Sequence, residues 1–308
     1  MTQMADSTIR RPNVFIVGAP KCGTTALSGY LGTHPNVFFS QPKEPCWFSA
    51  DFPGQREVRS LDEYLGLFAD AKQEHLAVGE GSVWYLYSQV ALRNIRDFNS
   101  QAKIVVMLRN PVEQVYSMHQ ELHLRRYETQ GDFIKAWELQ EARRNGRHVP
   151  KFCKEARFLQ YRQIAEYAPQ LERLLEHFPR EQVKVIIFDD FKADTRRVYL
   201  ELMDHLQLPD DGKLDFKPSL ESRRHKLHWL GSFLINQPPW LESVKSQVKK
   251  TLRIQRLGVR DLVARHNTVV EKRKALPADF VAQLKDVFRE DVGRVSDLLK
   301  RDLSHWCQ

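Results

Sequence analysis

The sequence predicts an α/β fold in which a parallel central sheet is flanked by helices. Short, continuous apolar runs alternate along the chain with stretches of helical periodicity, which is typical of such folds. These runs are apolar throughout rather than at every second residue, as expected for strands that are buried on both faces. The residues with candidate chemistry follow predicted strands, so a parallel sheet would bring them to one edge.

The first strand, loop and helix form the segment around which the rest of the chain is organised. Val14–Val17 reads as a buried strand, a turn follows from Gly18 to Gly23, and Thr24–Leu31 has helical spacing that ends at Gly32. Strand, glycine turn and helix together direct backbone N–H groups and the positive end of a helix towards an anion. This segment therefore predicts a phosphate-binding loop.

Within this loop, Gly18 and Gly23 allow the backbone to approach a phosphate closely, Thr24 and Thr25 add hydroxyl donors, and Lys21 adds a positive charge. The pattern departs from the standard P-loop, in which lysine follows the second glycine and a Ser/Thr binds magnesium. Here Lys21 lies inside the loop and Thr24 occupies the position of that lysine. The departure favours phosphate binding without metal-assisted transfer of a terminal phosphoryl group.

A second predicted strand, Asn36–Phe39, leads into a proline-bounded loop that carries Lys43 and Glu44. A carboxylate just past a strand end, close in sequence to an anion-binding loop, is placed for proton abstraction. Taken alone, an acidic residue before a proline is more often a solvated loop charge. Glu44 is therefore a candidate general base, and a solvated surface charge is the alternative interpretation.

A third apolar run, Lys103–Leu108, reads as a buried strand and is followed by Arg109 and then by a helix that contains Ser117. An arginine at a strand end and a serine eight residues later can converge on one phosphate. Arginine supplies a bidentate charge-assisted contact and serine a neutral donor. The alternative for Arg109 is a surface ion pair.

Two histidines, His119 and His123, lie four residues apart on that helix, a spacing that can bind zinc. His119 is followed by Gln120 rather than by the glutamate of a His-Glu-x-x-His pattern, and no third ligand is evident, so no metal site is predicted. His119, two residues past Ser117, is the reserve candidate for the base.

The remaining elements continue the alternation. Residues 125–150 are polar and rich in arginine, and we expect them to form a mobile insert. Further helices are predicted at 61–69, 91–98, 158–177 with a break near Pro169, 197–206 and 277–306, and a further strand at 183–188. We expect residues 1–12 to be a flexible N-terminus and 13–308 to form a single domain.

Composition narrows the class of protein. A chain of 308 residues with 42% hydrophobic residues can form one large α/β domain, and it contains no apolar stretch long enough to span a membrane. The net charge of +8, concentrated between residues 245 and 274, suits an anionic cofactor or substrate, although such a run is usually a solvated face. The polar N-terminus lacks the features of a secretion signal, and a cytoplasmic location is the simplest prediction.

The four cysteines lack metal-ligand spacing and are expected to be reduced. Cys22 lies in the anion loop, where positive charge could lower its pKa. The favoured interpretation is a small residue in a tight turn.

Several of these motifs together resemble the sulfotransferases that use 3′-phosphoadenosine 5′-phosphosulfate (PAPS), whose fold is P-loop-like. The closest likeness is to bacterial members similar to heparan-sulfate sulfotransferase domains. The resemblance covers nearly the whole chain. It rests on Pro20-Lys-Cys-Gly-Thr-Thr25, His34-Pro35, Lys43-Glu-Pro45, Leu108-Arg-Asn-Pro111 with Ser117, Phe178-Pro-Arg-Glu-Gln182, Phe188-Asp-Asp-Phe191 and Asp302-Leu-Ser-His-Trp306.

The resemblance implies in-line transfer of a sulfuryl group, without a metal, to a hydroxyl of a carbohydrate, lipid or small natural product, with an amine acceptor as the second choice. It implies that Glu44 is the general base and that Lys21 offsets charge on the leaving phosphate. The other implied contacts are to the product nucleotide, 3′-phosphoadenosine 5′-phosphate (PAP): residues 21–25 (Lys21, Cys22, Gly23, Thr24 and Thr25) hold its 5′-phosphate, Arg109 and Ser117 its 3′-phosphate, and Arg224 lies over the adenine nucleotide.

One departure from the family pattern concerns the acceptor. The family usually has Glu-Lys-Ser/Thr-Pro where this chain has Glu80-Gly81-Ser82-Val83. The missing lysine argues weakly against a strongly anionic sugar polymer. The nearby Trp84, Tyr85 and Tyr87 could instead mark a more apolar acceptor site, or they could be core residues.

Three other functions stay open from the sequence. A P-loop kinase would need the lysine after the second glycine and a magnesium-binding aspartate. A non-catalytic protein that keeps the nucleotide fold would bind PAP without turnover. A nucleic-acid binder would suit the basic charge, although no nucleic-acid-binding module is recognised and no nucleic-acid partner is expected.

Overall fold

The computed structural model describes residues 10–216 and 275–308 with their side chains, and the backbone of 223–225 and 268–270. The described elements include a sheet of five strands: β1 (Val14–Gly18), β2 (Val37–Phe39), β3 (Ala77–Glu80), β4 (Lys103–Leu108) and β5 (Val183–Ile187). Every pairing in this sheet is parallel, and the strand order is β2-β3-β1-β4-β5. This confirms the predicted parallel α/β architecture.

The helices of the described residues flank this sheet and are numbered here in chain order. They are α1 (Thr24–Leu31), α2 (Leu61–Gly66), α3 (Ala91–Phe98), α4 (Pro111–Leu124), α5 (Phe133–Glu138), α6 (Gln140–Arg144), α7 (Tyr161–Ala165), α8 (Ala168–His177), α9 (Phe188–Ala193), α10 (Thr195–Leu206) and α11 (Ala278–Leu299).

The core lies around the two central strands. All five residues of β1 are buried, and β4 is buried from Ile104 to Leu108, because helices cover the sheet. The strands pair with Phe15 opposite Ile104 and Ile16 opposite Val105. Burial on both faces explains why these strands are apolar at every position.

The strand order also explains where the site lies. From β1 the chain runs to β2 and then to β3 on one side of the sheet, and from β4 it runs to β5 on the other side. The loops that leave β1 and β4 therefore diverge from neighbouring strand ends, which is the usual position of a ligand crevice in an open α/β sheet. These loops carry Lys21 and Arg109.

Most of the predicted elements are present, but several differ. The helix predicted at 277–306 ends at Leu299, because Lys300 adopts a left-handed conformation at its C-cap. β3 was not predicted, because a four-residue strand with Gly79 at its centre gives almost no periodic signal. The strand predicted at 183–188 ends at Ile187, and Phe188 begins α9. The helix predicted at 158–177 is interrupted between Ala165 and Ala168, so that Pro169 falls in the first turn of α8, where its missing N–H is tolerated.

The segment expected to be a mobile insert is instead held by a buried ion pair. The Arg143 guanidinium donates to both carboxylate oxygens of Glu128 at 2.6 and 2.7 Å, and Tyr161 donates to the same carboxylate at 2.8 Å. Both charged side chains are excluded from solvent. This pair joins α6 to the loop after α4, so the expectation of mobility was wrong for these residues.

Two further strands, β6 (Arg223–His225) and β7 (Thr268–Val270), pair antiparallel. Residues 1–9 and most of the basic 245–274 stretch lie outside the described residues, and the division into a flexible N-terminus and one domain stays a prediction. Among the helices of the described residues, none has the length and apolarity needed to cross a membrane.

Candidate functional site

The loop between β1 and α1 has the geometry of an anion cradle. Gly23 occupies the N-cap position of α1 with φ of +93°, a left-handed conformation that favours glycine. Among the described residues, the backbone N–H groups of residues 22–25 have no hydrogen-bond partner. Four such donors at a helix N-terminus are available to bind a phosphate.

One face of helix α4 packs against this loop. Gln114, which is fully buried, donates from Nε2 to the Pro20 carbonyl at 3.1 Å. Lys21 donates from Nζ to Glu121 Oε2 at 3.0 Å. Ser117 lies three residues after Gln114 and four before Glu121, so it occupies the same face of the helix as these two loop contacts. The structure thus puts buried Ser117 on the side of α4 that faces the predicted phosphate loop.

Arg109 leaves the end of β4 next to the same loop. Its guanidinium carbon lies 4.8 Å from the centre of the Phe188 ring, and its Nε donates to Glu113 at 2.8 Å. The Tyr167 hydroxyl donates to the Arg109 carbonyl at 3.1 Å and lies 3.7 Å from the Cys22 sulfur. Tyr167 therefore connects the backbone of Arg109 to the anion loop.

The Cys22 side chain is buried beneath the loop. Burial raises the pKa of its thiol to about 12, and the Tyr167 hydrogen bond and the nearby cations only partly offset that rise. The thiol is therefore protonated at neutral pH and does not act as a nucleophile. The prediction of a small residue in a tight turn agrees with this placement, and only the backbone N–H of Cys22 is available to an anion.

Glu44 lies in the loop after β2, where its Oε1 accepts a hydrogen bond from Lys43 Nζ at 2.9 Å. Although burial lowers it, the pKa of Arg125 is raised by Glu121 and, through space, by Glu44. Arg125 also donates to Glu121 at 2.5 Å. Glu44 and Glu121 thus both favour the charged form of Arg125. The role of Glu44 beside the anion loop stays a prediction.

Lys43 occupies the space beside Gly81, the position at which the family pattern would have a lysine. The Gly81 N–H donates to the Lys43 carbonyl at 3.0 Å, and a Cβ at position 81 would lie 3.3 Å from Lys43 Cε. A long side chain at 81 would thus displace Lys43. This chain holds an ammonium group here from the neighbouring loop.

Glu80, at the end of β3, is a buried carboxyl group that accepts hydrogen bonds from Ser82 and Tyr85 at 2.7 Å and from Tyr64 at 3.4 Å. The Ser82 oxygen also accepts from the Cys46 N–H at 3.0 Å. Burial raises the pKa of Glu80 to about 7, although its three hydroxyl donors lower it. Trp84, Tyr85 and Tyr87 are also buried, so the core interpretation of these aromatic residues is the one that the structure supports.

His119 lies on a different face of α4 from Ser117. It is 3% exposed, its Nε2 lies 2.8 Å from the Gln130 carbonyl, and its ring packs against Phe133 and Tyr161. Burial lowers its pKa. Its contacts are those of a core histidine, and none of them is with the anion loop or Glu44. The structure therefore does not bring the reserve base to the site.

The last predicted nucleotide contact, Arg224, lies in β6, whose side chains are outside the described residues. The β6 backbone comes close to α4, the helix that carries Ser117. The assignment of Arg224 to the adenine nucleotide stays a prediction.

Four residues of the site escaped the sequence analysis, namely Gln114, Glu121, Tyr167 and Phe188. For the first two a signal existed, because both lie one helical turn from Ser117. Phe188 belongs to one of the motifs of the family resemblance, but that motif assigned it no role. Tyr167 and Phe188 both contact the loop through the tertiary fold.

Comparisons with known proteins agree with this geometry. Residues 11–216 match a family model described as sulfotransferase domain. The chain is similar to bifunctional heparan sulfate N-deacetylase/N-sulfotransferase 1 of Caenorhabditis briggsae, with 29% identity over 216 residues that cover 68% of this chain and 24% of that protein. It is also similar to carbohydrate sulfotransferase 15 of Mus musculus, with 30% identity over 147 residues that cover 34% of this chain and 26% of that protein. The chain thus spans about a quarter of the length of these curated relatives.

Among solved structures, the crystal structure of a sulfotransferase from Alicyclobacillus acidocaldarius is similar over the whole chain. The TM-score is 0.72 at 28% sequence identity, and the match covers 97% of this chain and 100% of that chain.

Proposed function

This chain belongs to the sulfotransferase domain family, and from that premise we propose that it transfers a sulfuryl group from PAPS to an acceptor hydroxyl. The observation that carries the proposal is the meeting of three features at the ends of β1 and β4. These are the four N–H groups of residues 22–25, which have no partner within the described part of the chain, the Lys21 ammonium and the Arg109 guanidinium. Together they suit a nucleotide with one phosphate at each end of its ribose.

PAPS supplies, when bound, the activated sulfuryl group that passes to the acceptor. The N–H groups of residues 22–25 bind its 5′-phosphate, and the Thr24 and Thr25 hydroxyls add donors. Lys21 offsets the charge that develops on the leaving phosphate oxygen, and losing one such preorganised donor typically costs about 10²–10³-fold in rate. These residues also bind the product PAP.

Arg109 and Ser117 bind the 3′-phosphate, the group that distinguishes PAPS from ATP. The cation–π contact with Phe188 and the hydrogen bond from Tyr167 to the Arg109 carbonyl hold this arginine at the loop. A guanidinium so oriented can make a bidentate contact with phosphate, which lysine cannot reproduce.

Glu44 accepts the proton of the acceptor hydroxyl, because it is the carboxylate in the loop after β2 and is partly open to solvent. The neighbouring Lys43 donates a hydrogen bond to its Oε1 at 2.9 Å. The acceptor class we propose is a carbohydrate, lipid or small natural product hydroxyl, and the carbohydrate relatives support the first of these. Cytoplasmic location stays a prediction.

Radiolabelled transfer tests this proposal. The purified chain is incubated with [35S]PAPS and a panel of polysaccharide, sterol and phenolic acceptors. We expect label in at least one acceptor and stoichiometric PAP release, both abolished in Lys21→Ala and kept in the surface control Lys72→Ala. Tight PAP binding without transfer to any acceptor class would instead favour a non-catalytic nucleotide-binding protein.

A further inference from the structure

Both cations assigned to nucleotide phosphates are paired with carboxylates of α4. Lys21 forms a salt bridge with Glu121, and Arg109 forms one with Glu113. Glu113, Ser117 and Glu121 follow one another at steps of four residues, which places them along one side of the helix. The predicted phosphate ligand Ser117 therefore lies between the counter-ions of the two predicted phosphate cations.

The Lys21–Glu121 pair is the better shielded of the two. The side chains of Lys21 and Glu121 are 30% and 25% exposed. Arg109 is 14% exposed, but its partner Glu113 is 55% exposed, so solvent screens that pair from the carboxylate side. Glu121 also accepts from Arg125 at 2.5 Å. Burial raises the pKa of Glu121, but Lys21 and Arg125 together lower it to about 2. Glu121 is therefore ionised at any working pH of the enzyme.

An anionic ligand in the loop must compete with this carboxylate for the Lys21 ammonium. The loop backbone cannot relax the competition easily, because Gln114 fixes the Pro20 carbonyl and Gly23 is confined by Phe188. When Lys21 contacts a phosphate, it gives up its ion pair with Glu121. The free energy gained is consequently the difference between the free energies of these two ion pairs. Glu121 also repels the incoming phosphate.

We propose that Glu121 is a positioning residue that holds Lys21 at the mouth of the anion loop and yields the lysine to the 5′-phosphate of the bound nucleotide. This inference rests on the proposed function. It assigns to Glu121 no contact with the reacting atoms, since it acts through Lys21. Binding of the nucleotide is then an exchange of counter-ions at α4.

A double-mutant cycle in nucleotide binding tests this role. PAP affinity is measured by calorimetry for the unchanged chain, Lys21→Ala, Glu121→Gln and the double variant. We expect Glu121→Gln to tighten PAP binding about tenfold, because the competing charge is removed. Lys21→Ala should weaken binding less than about fivefold in the unchanged chain but tenfold or more in the Glu121→Gln background, because there the charged competitor for the lysine is removed.

Lys184 and Glu201 provide the matched control, since they form an ion pair of the same 3.0 Å length away from the site. Glu201→Gln should leave PAP affinity and the effect of Lys21→Ala unchanged. Thermal unfolding identifies variants that are misfolded, and Glu121→Ala serves as a second neutral variant if Glu121→Gln is unstable.

Equal effects of Lys21→Ala in both backgrounds would overturn the inference while leaving the proposed function intact. Weaker PAP binding in both folded neutral variants of Glu121 would also overturn it. Absence of PAP binding to the unchanged chain would remove the proposed function and this inference together.

Discussion

The ring of Phe188 packs directly on Gly23, so that a Cβ at position 23 would lie 2.9 Å from two ring carbons. The same ring carries the Arg109 guanidinium 4.8 Å from its centre. The first residue of α9 therefore contacts both halves of the proposed nucleotide site. A side chain at the last position of the loop would therefore clash with this ring.

Gly23→Ala should damage both the loop and the binding of PAP. The left-handed φ and the contact with Phe188 each oppose a methyl group, so we expect a loss of about 1–3 kcal/mol of unfolding free energy. We also expect PAP affinity to fall at least tenfold. Thermal unfolding and calorimetry measure the two effects.

Gly29→Ala is the control for that substitution, because Gly29 lies inside α1 with nothing within 4 Å of a new Cβ. There alanine should be neutral or stabilise by up to about 1 kcal/mol. Unchanged PAP affinity in Gly23→Ala would contradict the assignment of this loop.

Glu44→Gln should separate chemistry from binding. Removing a general base typically lowers the rate by about 10²–10⁴-fold, and we expect kcat to fall by this factor while PAP affinity stays within about twofold. The exposed Glu141→Gln should leave kcat unchanged. A variant at position 44 that keeps full turnover would exclude Glu44 as the base.

The titration of Glu80 should lower the unfolding free energy of the chain as the pH rises. Its folded-state pKa of about 7 exceeds the ordinary value of 4.5, so between these values the folded chain binds more protons than the unfolded chain. The unfolding free energy should therefore decrease from pH 4.5 to pH 8, by roughly 3 kcal/mol from this group. Chemical denaturation at each pH measures the change.

Glu80→Gln removes the titrating group while keeping its shape. Its stability relative to the unchanged chain should rise between pH 5 and pH 8, and this difference isolates Glu80 from Asp291, whose pKa burial also raises. A difference that stays flat over this range would show that Glu80 titrates normally.

Glu128→Gln should destabilise the folded chain strongly, because it leaves the Arg143 charge buried without a counter-ion. Breaking a buried pair in this way costs about 3–5 kcal/mol. The exposed Arg162–Glu166 pair, with an N–O distance of 2.7 Å, is the control, and Glu166→Gln should cost less than about 1 kcal/mol. Similar losses in both variants, measured by urea unfolding, would contradict a structural role for the buried pair.

The sequence predicted the central strands well, because β1 and β4 are buried on both faces and carry long apolar runs. It missed β3, which is held by its neighbours rather than by its own pattern. It also misjudged residues 125–150, because a buried Arg143–Glu128 pair looks in a sequence like two surface charges. Charged residues reveal such pairing only when the fold is known.

For the site, parallel strand ends predicted that Lys21, Glu44 and Arg109 would meet at one edge. Which residues of α4 face the loop together with Ser117 depends instead on their angular position around the helix. His119 is two residues from Ser117, which is about 200° around the helix, whereas Glu121 is displaced by only about 40°. Counting turns rather than residues would have selected Glu121 as the neighbour of the loop.

Calorimetric titration with PAP, ADP and ATP in the absence of magnesium tests the central claim most directly. We expect PAP to bind at least about tenfold more tightly than ADP, and Arg109→Ala to remove this preference because the 3′-phosphate loses its guanidinium. Equal affinity for PAP and ADP, or binding of ATP only after magnesium is added, would contradict the sulfotransferase site and favour a kinase.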